Sequence, residues 1–577
     1  MTLSLAAVRV ERPGPRALFG EPLLLTLLLL VGLMLFVWPL LAVLRLAFFG
    51  AEGGVGALVE ALDSRSVRRA LWHSVESSAL SALIATVTGA ALALLVGVTD
   101  LRSRVALSFV ILLPMMIPAH VITIAWMQTL GPSSVLAGLL GLPVTPGATH
   151  PLYSREGVIA LLALQQMPLV FLTFRAALRT LPRDLAEAAR VAGAGPARLL
   201  WRIVLPLLRP ALVAGFALAF VSALGNFGIP ALLGVPGRYV TLPVLMWQRL
   251  ASSGPSVLTD VAVLAVPIGV LAAIALPVQL ALQRRLSVAL TGAAQATLRL
   301  SLGRARPWVE AGLWLMLAGL VLVPLLSMVA TALLPTWGVA LTLETVTLDQ
   351  FREVLFRQDV TLRALANSTC LAIAAGGIVA ILALGLAPFL RRGDGAGRAV
   401  RGMAMLAELC YALPGLVISV AFIIVFLRPL PGLGLSIYGT HVIILGAYLS
   451  AFLAVALKPV GVARDALDPA LSDAARVAGA GFWRRLARIE APLLAPAAAS
   501  GAVLVALVAF SEVTLSSILW TRGTETLGTV IFNYEDGGYT GLAAAMSVLA
   551  VAATLALMLA LDRLGRHLPP GIVPWRG

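Results

Sequence analysis

The sequence has few charged residues and almost no cysteine or lysine, and each shortage excludes a class of protein. Only 12% of its 577 residues are charged and 60% are hydrophobic, with a mean hydropathy of +0.98, whereas soluble domains carry about 25% charged residues. Cys370 and Cys410 both fall in apolar runs, which excludes a disulfide framework and a zinc cluster and predicts two core thiols. The one lysine, Lys458, follows Leu457, so the chain contains no Gly-Lys-Ser/Thr phosphate loop.

The apolar residues occur in long continuous runs that predict membrane-spanning helices. About 20 apolar residues are needed to cross the hydrocarbon core, and only helices and closed barrels satisfy every backbone group there. Continuous rather than alternating runs exclude the barrel. We therefore predict an all-α polytopic membrane protein with about twelve spans, at 22–44, 76–98, 105–130, 157–178, 210–231, 258–281, 309–334, 366–390, 402–427, 438–457, 497–520 and 540–561.

The net charge of +15 comes from arginines in the short gaps between the runs rather than from one basic stripe. This distribution favours lipid headgroups over nucleic acid as the partner of the basic residues. Positive residues in short loops stay in the cytoplasm, and most of them fall in alternate gaps if both termini are cytoplasmic. The outer loops are too short for a soluble domain, so another polypeptide or the membrane helices must capture any solute outside.

An internal repeat divides the chain into two halves of six spans each. Ala188-Ala189-Arg190-Val191-Ala192-Gly193-Ala194-Gly195 recurs letter for letter as Ala474-Ala475-Arg476-Val477-Ala478-Gly479-Ala480-Gly481. Weaker sequence similarities between the halves pair Ser74 with Ser368 and Pro118 with Pro414. An even number of spans per half predicts two parallel halves, 1–300 and 301–577, related by a pseudo-two-fold axis along the membrane normal. The polar stretch 283–308 is then the linker.

The repeated stretch lies between the fourth and fifth span of each half and contains a helix too short to cross the membrane. Asp468 is placed to cap the second copy with Pro469 in its first turn, and Pro182 has the same position in the first copy. Gly193 and Gly479 are suited to the left-handed backbone conformation of the residue that ends a helix. A single copy would equally fit an amphipathic connector lying on the headgroups. Two copies at the same topological position indicate two copies of a partner.

At these residues the sequence resembles the permeases of binding-protein-dependent ABC importers. Their cytoplasmic loop signature is Glu-Ala-Ala, three residues, Gly, nine residues, Ile, one residue, Leu-Pro. The first loop, 180–206, matches it, and the second, 466–492, departs from it by Asp for Glu and Ala for Leu. The matching residues are Glu187, Ala188, Ala189, Gly193, Ile203 and Pro206, and Asp473, Ala474, Ala475, Gly479, Ile489 and Pro492.

The resemblance covers nearly the whole chain and points to the fused two-half, ferric-iron branch of type I importers. It implies a permease without catalytic residues, metal or cofactor of its own, in the bacterial inner membrane. It also implies two ATP-binding cassette subunits, which hold ATP and Mg themselves and each dock on one of the two loops, and a periplasmic or extracytoplasmic solute-binding protein. The related polyamine, thiamine, phosphonate and sugar-phosphate branches remain alternatives for the substrate.

Polar residues inside predicted spans are the candidates for a substrate path, because each is costly in a bilayer. Glu512 lies near the middle of the eleventh predicted span, and its repeat equivalent is Asn226. The two could line a path for a cation or a polar solute, or could hydrogen-bond across helix interfaces. His120, Gln165 and Gln166 are further candidates beside prolines.

Two readings from other classes remain to be weighed against the importer. An ion-coupled secondary carrier with parallel repeats would use Glu512 as its coupling carboxylate, but it has no use for two docking loops. A membrane-embedded hydrolase lacks every required motif, since the sequence contains neither a His-Glu-x-x-His helix nor a Ser/His/Asp spacing.

Overall fold

The chain folds into helices joined by short turns. A computed structural model describes residues 15–50, 53–131, 134–139, 150–179, 181, 187–189, 191–252, 256–286, 300–429 and 434–565. Within those ranges the only extended pairing is one isolated bridge between Thr99 and Leu300. The predicted all-α fold is confirmed.

The helices of the two halves follow the same order. In the first half they are α1 (Gly20–Phe49), α2 (Val55–Asp63), α3 (Arg65–Val98), α4 (Arg104–Met116), α5 (Ala119–Leu130), α6 (Val135–Leu139), α7 (Arg155–Leu178), α8 (Ala197–Leu207), α9 (Arg209–Leu224), α10 (Leu242–Leu250) and α11 (Val257–Leu286). In the second half they are α12 (Gly303–Ala332), α13 (Asp349–Arg352), α14 (Asp359–Leu390), α15 (Gly395–Ala412), α16 (Gly415–Phe426), α17 (His441–Ala466), α18 (Pro469–Val477), α19 (Phe482–Phe510), α20 (Ser516–Leu519), α21 (Leu527–Asp536) and α22 (Thr540–Leu564).

Two of the predicted spans, 105–130 and 402–427, are bent rather than straight, and the predicted span 210–231 begins just after a third bend and is wrong at its end, because α9 stops at Leu224. The described part of the chain has nine helices long and apolar enough to cross a membrane, and three bent pairs raise the number to as many as twelve. The α4–α5 pair bends by 100°, α8–α9 by 62° and α15–α16 by 114°. Pro118 and Pro414 stand at the first and third bends with nearly the same backbone angles. Proline cannot donate the helical hydrogen bond and forces the preceding residue out of the helical region, so each helix breaks there.

The eleventh predicted span is wrong at its end. We expected 497–520 to form one helix with Glu512 near its middle, but α19 ends at Phe510. Glu512 therefore lies in the irregular segment between α19 and α20. The hydrophobic run continues beyond the helix, and hydropathy alone does not report where the backbone turns.

Small residues bring the long helices of each half into close contact. A Cβ on Gly89 of α3 would lie 2.7 Å from the carbonyl oxygen of Met167 in α7. In the second half, a Cβ on Gly376 of α14 would lie 2.6 Å from the carbonyl oxygen of Ala502 in α19. In a bilayer, such close backbone approach supplies the packing that a hydrophobic driving force supplies in water.

The predicted relation between the halves is visible in matched contacts. The amide of Leu242 donates to Ser74 Oγ at 2.7 Å, and in the second half the amide of Leu527 donates to Ser368 Oγ at 2.8 Å. The first helix of each half also packs on the broken helix of the other half. Trp38 of α1 contacts Phe426 of α16, with ring centroids 6.1 Å apart. The matching contacts of α12 are made with α5.

The start of the second half is attached to the end of α3. The amide of Leu300 donates to the Val98 carbonyl at 2.7 Å, and the amide of Leu302 donates to Asp100 Oδ1 at 2.9 Å. The Leu302 hydrogen bond, assisted by the nearby Arg306 guanidinium, holds the pKa of Asp100 below its usual range. Residues 287–299 of the predicted linker lie outside the described residues, so the boundary at 300 stays a prediction.

The two thiols differ in their surroundings. Cys410 is buried, as predicted, but Cys370 is exposed, so the prediction of two core thiols is wrong for Cys370. It lies on an outward face of α14 together with Ile373 and Ile381, whose side chains are 67% and 70% exposed. An apolar run in a membrane helix has a lipid-facing side as well as a core side, and the run does not distinguish them.

Candidate functional site

The second repeated loop, 466–492, is built around α18. Asp468 Oδ1 accepts a hydrogen bond from the Ala470 amide at 2.9 Å, and Pro469 is the first helical residue, as predicted. The helix ends through two hydrogen bonds, Ala478 N–H to the Ala474 carbonyl and Ala480 N–H to the Ala475 carbonyl, both 2.9 Å long. Between them Gly479 has a φ of 74°. The predicted left-handed glycine is confirmed.

The first repeated loop, 180–206, ends its short helix in the same way. Ala192 N–H donates to the Ala188 carbonyl and Ala194 N–H donates to the Ala189 carbonyl, again both at 2.9 Å. Gly193 has a φ of 81°. The residues that begin this helix, including Pro182, lie outside the described residues. Within the described part, the two loops share one backbone geometry.

Both loops present side chains outward. Val191 and Val477, which occupy the same repeat position, are each 90% exposed. Glu187 and Asp473 are exposed as well, and Asp473 lies 3.9 Å from Arg476. A single exposed apolar side chain is ordinary on a protein surface, so the informative feature is that the same side chain is exposed at the same position of both loops.

The last part of each loop signature lies in the helix that returns to the membrane. Ile203 lies in a π-helical turn, Leu200–Val204, and Ile489 lies in the matching turn, Leu486–Glu490. Pro206 and Pro492 follow within the next helical turn. These residues therefore position the returning helices α8 and α19, whereas the acidic, alanine and glycine residues shape the exposed tip.

A central cavity of about 250 Å³ lies where the bent helices of the two halves meet. The first half contributes the bend at Pro118, part of α7 and the end of α9. The second half contributes the matching bend, part of α17 and the segment after α19. The lining residues are Met115, Ile117, Pro118, Ala119, Gln165, Val221, Ser222 and Gly225 from the first half, and Tyr411, Leu413, Gly415, Ala451, Phe452, Val508, Ser511, Glu512, Val513, Thr514 and Leu515 from the second.

Glu512 and Asn226 are caps of the short segments that follow α19 and α9. Glu512 Oε1 accepts from the Leu515 amide at 2.7 Å, and Oε2 accepts from the Ser516 amide at 3.1 Å. Asn226 Oδ1 accepts from the Ile229 amide at 3.1 Å. Both side chains thus accept hydrogen bonds from amides at the start of the short helical segment that follows, which have no partner within that segment. Glu512 also lines the cavity, whereas Asn226 is adjacent to it through Gly225.

The other three candidates separate into one lining residue and two buried ones. Gln165 lines the cavity, and its Oε1 is buried without a hydrogen-bond partner. His120 is fully buried with both ring nitrogens unpartnered, and Gln166 is 3% exposed. Neither of the two is among the residues that line the cavity. The structure therefore brings Gln165 and Glu512 together and leaves His120 and Gln166 in the packing around them.

The sequence analysis did not identify several lining residues, because their side chains are not costly enough in a bilayer to be singled out. Tyr411, Ser222, Ser511 and Thr514 supply hydroxyl groups to the cavity. Tyr411 also lies beneath Lys458, whose Nζ is 5.5 Å from the ring centroid. The repeated prolines at the two bends were the available signal, because a broken helix in a transporter faces a cavity.

The cavity carries little charge. Among the described lining residues Glu512 is the one carboxylate, and none of them is an arginine or lysine. No group of three or more His, Cys, Asp or Glu side chains that could hold a metal ion occurs in the described part of the chain. The arrangement can pass a polar or cationic solute but offers no tight chelation.

The comparison with known proteins agrees with the division of the chain into two halves. The family model of the binding-protein-dependent transport system inner membrane component matches residues 89–288 and 396–574, once in each half. The chain belongs to this family. It is a fused two-half ABC permease, a multi-pass membrane protein of importers that work with ATPase and substrate-binding partners.

Relatives that are named for different substrates are similar to the chain. A probable ABC transporter permease protein, y4fN, from Sinorhizobium fredii is 26% identical over 94% of this chain and 97% of its own length. A putative ferric transport system permease protein, FbpB 1, from Haemophilus influenzae is 25% identical over 91% of this chain and 81% of its own. A putative 2-aminoethylphosphonate transport system permease protein, PhnU, from Salmonella choleraesuis is 31% identical over 42% of this chain and 84% of its own.

Proposed function

We propose that this permease imports ferric iron across a bacterial inner membrane, with both repeated loops and both termini in the cytoplasm. Two separate ATPase subunits bind ATP and Mg and each covers one repeated loop, while the chain itself hydrolyses nothing and holds no cofactor. A solute-binding protein delivers the cargo at the opposite end. The observation that carries the proposal is the pair of loops with matched caps and matched exposed valines.

The loops are connected so that a movement at their tips reaches the cavity. The second loop continues directly into α19, whose end lies one residue before Ser511 in the cavity lining. The first loop continues through α8 and the 62° bend into α9, whose last residue, Leu224, directly precedes the lining residue Gly225. Closure of an ATPase dimer would move the tips together and tilt α9 and α19. A bundle with two packed arrangements then exposes the cavity to one side or the other.

The charge of the cavity supports a cationic cargo. Phosphonates and sugar phosphates are anions that proteins often hold with arginine or lysine, and neither residue type is among the described lining residues of this cavity, although α5 and α16 begin at its lining residues Ala119 and Gly415. Hard oxygen ligands suit ferric ion, and Glu512 with the surrounding hydroxyl groups offers them without the multiple carboxylates that would prevent release. Polyamine and thiamine, which are also cations, are the second choice.

The secondary-carrier alternative is weakened by the position of Glu512. A coupling carboxylate must exchange its proton or ion in each cycle, whereas both oxygens of Glu512 accept backbone hydrogen bonds that shape the segment after α19. Removing the Glu512 side chain would disturb this turn in addition to abolishing any titration of its carboxylate. A carrier also has no partner for two exposed loops.

Cysteine labelling tests the docking of the loops. In a chain with Cys370 and Cys410 replaced by serine, Val191→Cys and Val477→Cys should each react with a maleimide when the permease is alone and become protected when the ATPase subunits are bound. Leu343→Cys, fully exposed at the opposite end of the bundle, is the control and should react in both states. In sealed spheroplasts an impermeant maleimide should reach only the Leu343 variant. Labelling of the Val477 variant from outside would contradict the orientation.

Reconstitution tests the cargo. Liposomes with the permease, the ATPase and the binding protein should accumulate ferric iron only with ATP inside. Uptake by the permease alone, driven by an ion gradient, would overturn the importer mechanism. ATP-driven uptake of a polyamine or thiamine but not iron would leave the mechanism intact and change the substrate.

A further inference from the structure

Three aromatic rings, contributed by both halves, pack on one another next to the central cavity. The ring centroids of Phe227 and Phe532 are 5.4 Å apart, those of Trp247 and Phe532 are 5.9 Å apart, and those of Phe227 and Trp247 are 5.6 Å apart. Phe227 is fully buried, and Phe532 is 4% exposed. We call this group the aromatic seam, because it joins α10 and the segment after α9 to α21 of the other half.

The aromatic seam lies on the axis that relates the two halves. Leu242 and Leu527 make the same hydrogen bond in the two halves, and Trp247 and Phe532 follow them at the same spacing. The two rings therefore occupy the same position of α10 and α21. Equivalent residues of two related halves can touch each other only close to the axis between them. The central cavity also lies between the halves, since both of them line it.

The aromatic seam lies beyond the cavity as seen from the repeated loops. The amide of Leu242, where α10 begins, is bonded to Ser74, and the distance along α3 from Ser74 to its end at Val98 is about 36 Å. That end of α3 is next to the first repeated loop, because a Cβ on Gly97 would lie 3.2 Å from Leu178 Cδ1 at the end of α7. α10 is therefore at the opposite end of the bundle.

The aromatic seam is continuous with the lining of the central cavity. Phe227 comes two positions after the lining residue Gly225. On α21, a Cβ on Gly528 would lie 2.9 Å from the carbonyl oxygen of Glu512, which also lines the cavity. Phe532 follows Gly528 by one helical turn on the same face of α21. Both sides of the seam thus pack directly on lining segments.

The two halves contribute unequally to the aromatic seam. The first half supplies two rings, Phe227 and Trp247, and the second half supplies Phe532 alone. At the repeat position of Phe227 the second half has Val513, whose side chain has no ring. Movement of one half against the other would therefore break the two ring contacts of Phe532 and keep the contact between Phe227 and Trp247.

We propose that the aromatic seam is the outer gate of the permease, which closes the central cavity at the end opposite to the repeated loops and opens between Phe532 and the Phe227–Trp247 pair. Packed rings leave no passage for a polar solute, and an apolar constriction on a transport path gates it by excluding water. The gate rests on the proposed import function, in which α9 and α19 tilt. Phe227 follows α9 and α21 packs on the segment after α19, so this tilt would separate the two sides of the seam.

Access to the cavity from outside tests the closure in the permease expressed without its partners. In a chain with Cys370 and Cys410 replaced by serine, Ser222→Cys places a thiol in the cavity lining. An impermeant thiosulfonate added to sealed spheroplasts should react with it roughly twentyfold faster when Phe532→Ala is also present, since each of the two lost ring contacts favours the closed gate about fivefold. Phe174→Ala, which removes another fully buried ring on α7, is the matched control and should leave the rate unchanged.

Equal rates with and without Phe532→Ala would overturn the gate, and so would equal acceleration by both alanine variants. If Phe532→Ala does not reach the membrane, Phe532→Leu, which keeps most of the apolar volume, replaces it under the same criteria. No ATPase, binding protein or cargo takes part in this measurement. Its result is therefore independent of whether the importer carries iron, which the reconstitution decides.

Cross-linking in the complete transporter tests where the aromatic seam divides. With a short bifunctional thiosulfonate, Trp247→Cys with Phe532→Cys reports the contact between the halves, and Phe227→Cys with Trp247→Cys reports the contact within the first half. We expect the first pair to cross-link several-fold less when ATP and the loaded binding protein are present, and the second pair to cross-link equally in both states. Equal cross-linking of the first pair in both states, or the same loss in both pairs, would overturn the proposed opening.

Discussion

Val191 and Val477 lie at the same position of the two repeated loops, and each leaves 90% of its side chain exposed. Their neighbours end the short helix with hydrogen bonds of equal length around a glycine of positive φ. A single exposed valine is ordinary on a protein surface, but here the same side chain is exposed at the same position of both loops. The proposed docking of one ATPase subunit on each loop would cover both.

The glycines that end the loop helices should be required for coupling. Gly193→Ala and Gly479→Ala add a Cβ at a φ of 81° and 74°, at a cost of about 1–2 kcal/mol each, although open space surrounds both positions. The altered tip should dock poorly on the ATPase. We expect the number of ATP molecules hydrolysed per imported solute to rise several-fold in liposomes.

Gly195→Ala and Gly481→Ala are the matched controls for that experiment. They lie two residues further on, also in open space, and neither has a positive φ. They should couple as wild type does. Equal uncoupling by both sets would mean that the loss of any loop glycine matters, and normal coupling by both would contradict the role of the left-handed residue.

Replacing Glu512 should separate its charge from its capping role. Glu512→Gln keeps an acceptor for the Leu515 amide, loses the acceptor of the Ser516 amide and removes the one carboxylate among the described lining residues of the central cavity. We expect uptake of a cationic substrate to fall by about tenfold, equivalent to about 1.4 kcal/mol, with a smaller loss of thermal stability than in Glu512→Ala, which removes both acceptors. Glu512→Ala should also lower stability, by about 1 kcal/mol for a lost cap. Unaltered uptake by the Gln variant would leave Glu512 a capping residue only.

Adjacent glycines on α14 should respond in opposite ways to alanine. Gly376→Ala places its Cβ 2.6 Å from the Ala502 carbonyl oxygen, a backbone atom that cannot move aside, and should destabilise the fold by about 1–3 kcal/mol. Gly377→Ala meets nothing within 4 Å and should be neutral or gain up to about 1 kcal/mol of helix propensity. Thermal unfolding in detergent measures both. A larger loss at Gly377 would contradict the α14–α19 packing.

The attachment of the second half to α3 should weaken in acid. Asp100 has a pKa lowered below its ordinary 3.8 by the Leu302 amide hydrogen bond, so its contribution is present above pH 3.8 and is lost as the pH falls through the folded-state pKa. Hydrogen exchange of residues 300–306, corrected for intrinsic rate, should be constant from pH 8 to 5 and accelerate at lower pH. At pH 7, Asp100→Ala should accelerate it roughly fivefold.

Asp63→Ala is the control for that measurement, because Asp63 makes only an exposed pair with Arg68 and should not change exchange in this segment. Protection that survives in Asp100→Ala would show that the Leu300 hydrogen bond to Val98 holds the segment without the carboxylate.

The loops and the halves were accessible to sequence reasoning because their signals are local. The repeated octapeptide, the cap at Asp468 and the left-handed glycines each depend on residues within one or two helical turns. The pairing of Ser74 with Ser368 was visible as an echo. The structural role of the two serines was not visible, because the amides of Leu242 and Leu527 that donate to them lie about 160 residues further along the chain.

Only part of the candidate substrate path could be predicted from the sequence. Gln165 and Glu512 were chosen as costly polar residues and do line the cavity, whereas His120 and Gln166 satisfied the same criterion and lie outside its lining. Side chains on one helix are assigned to the cavity or to the packing by the rotation of that helix against its neighbours. Hydropathy contains no information on that rotation.

By itself the sequence determined that the chain crosses a membrane, that it consists of two related halves, and that each half carries one short capped helix. Composition, repetition and capping are properties of neighbouring residues, so they can be read along the chain. Only the tertiary structure decided where the spans bend and that Glu512 caps the segment after α19 instead of occupying the middle of a helix. Those features depend on which distant backbone and side-chain atoms meet, and packing settles that in three dimensions.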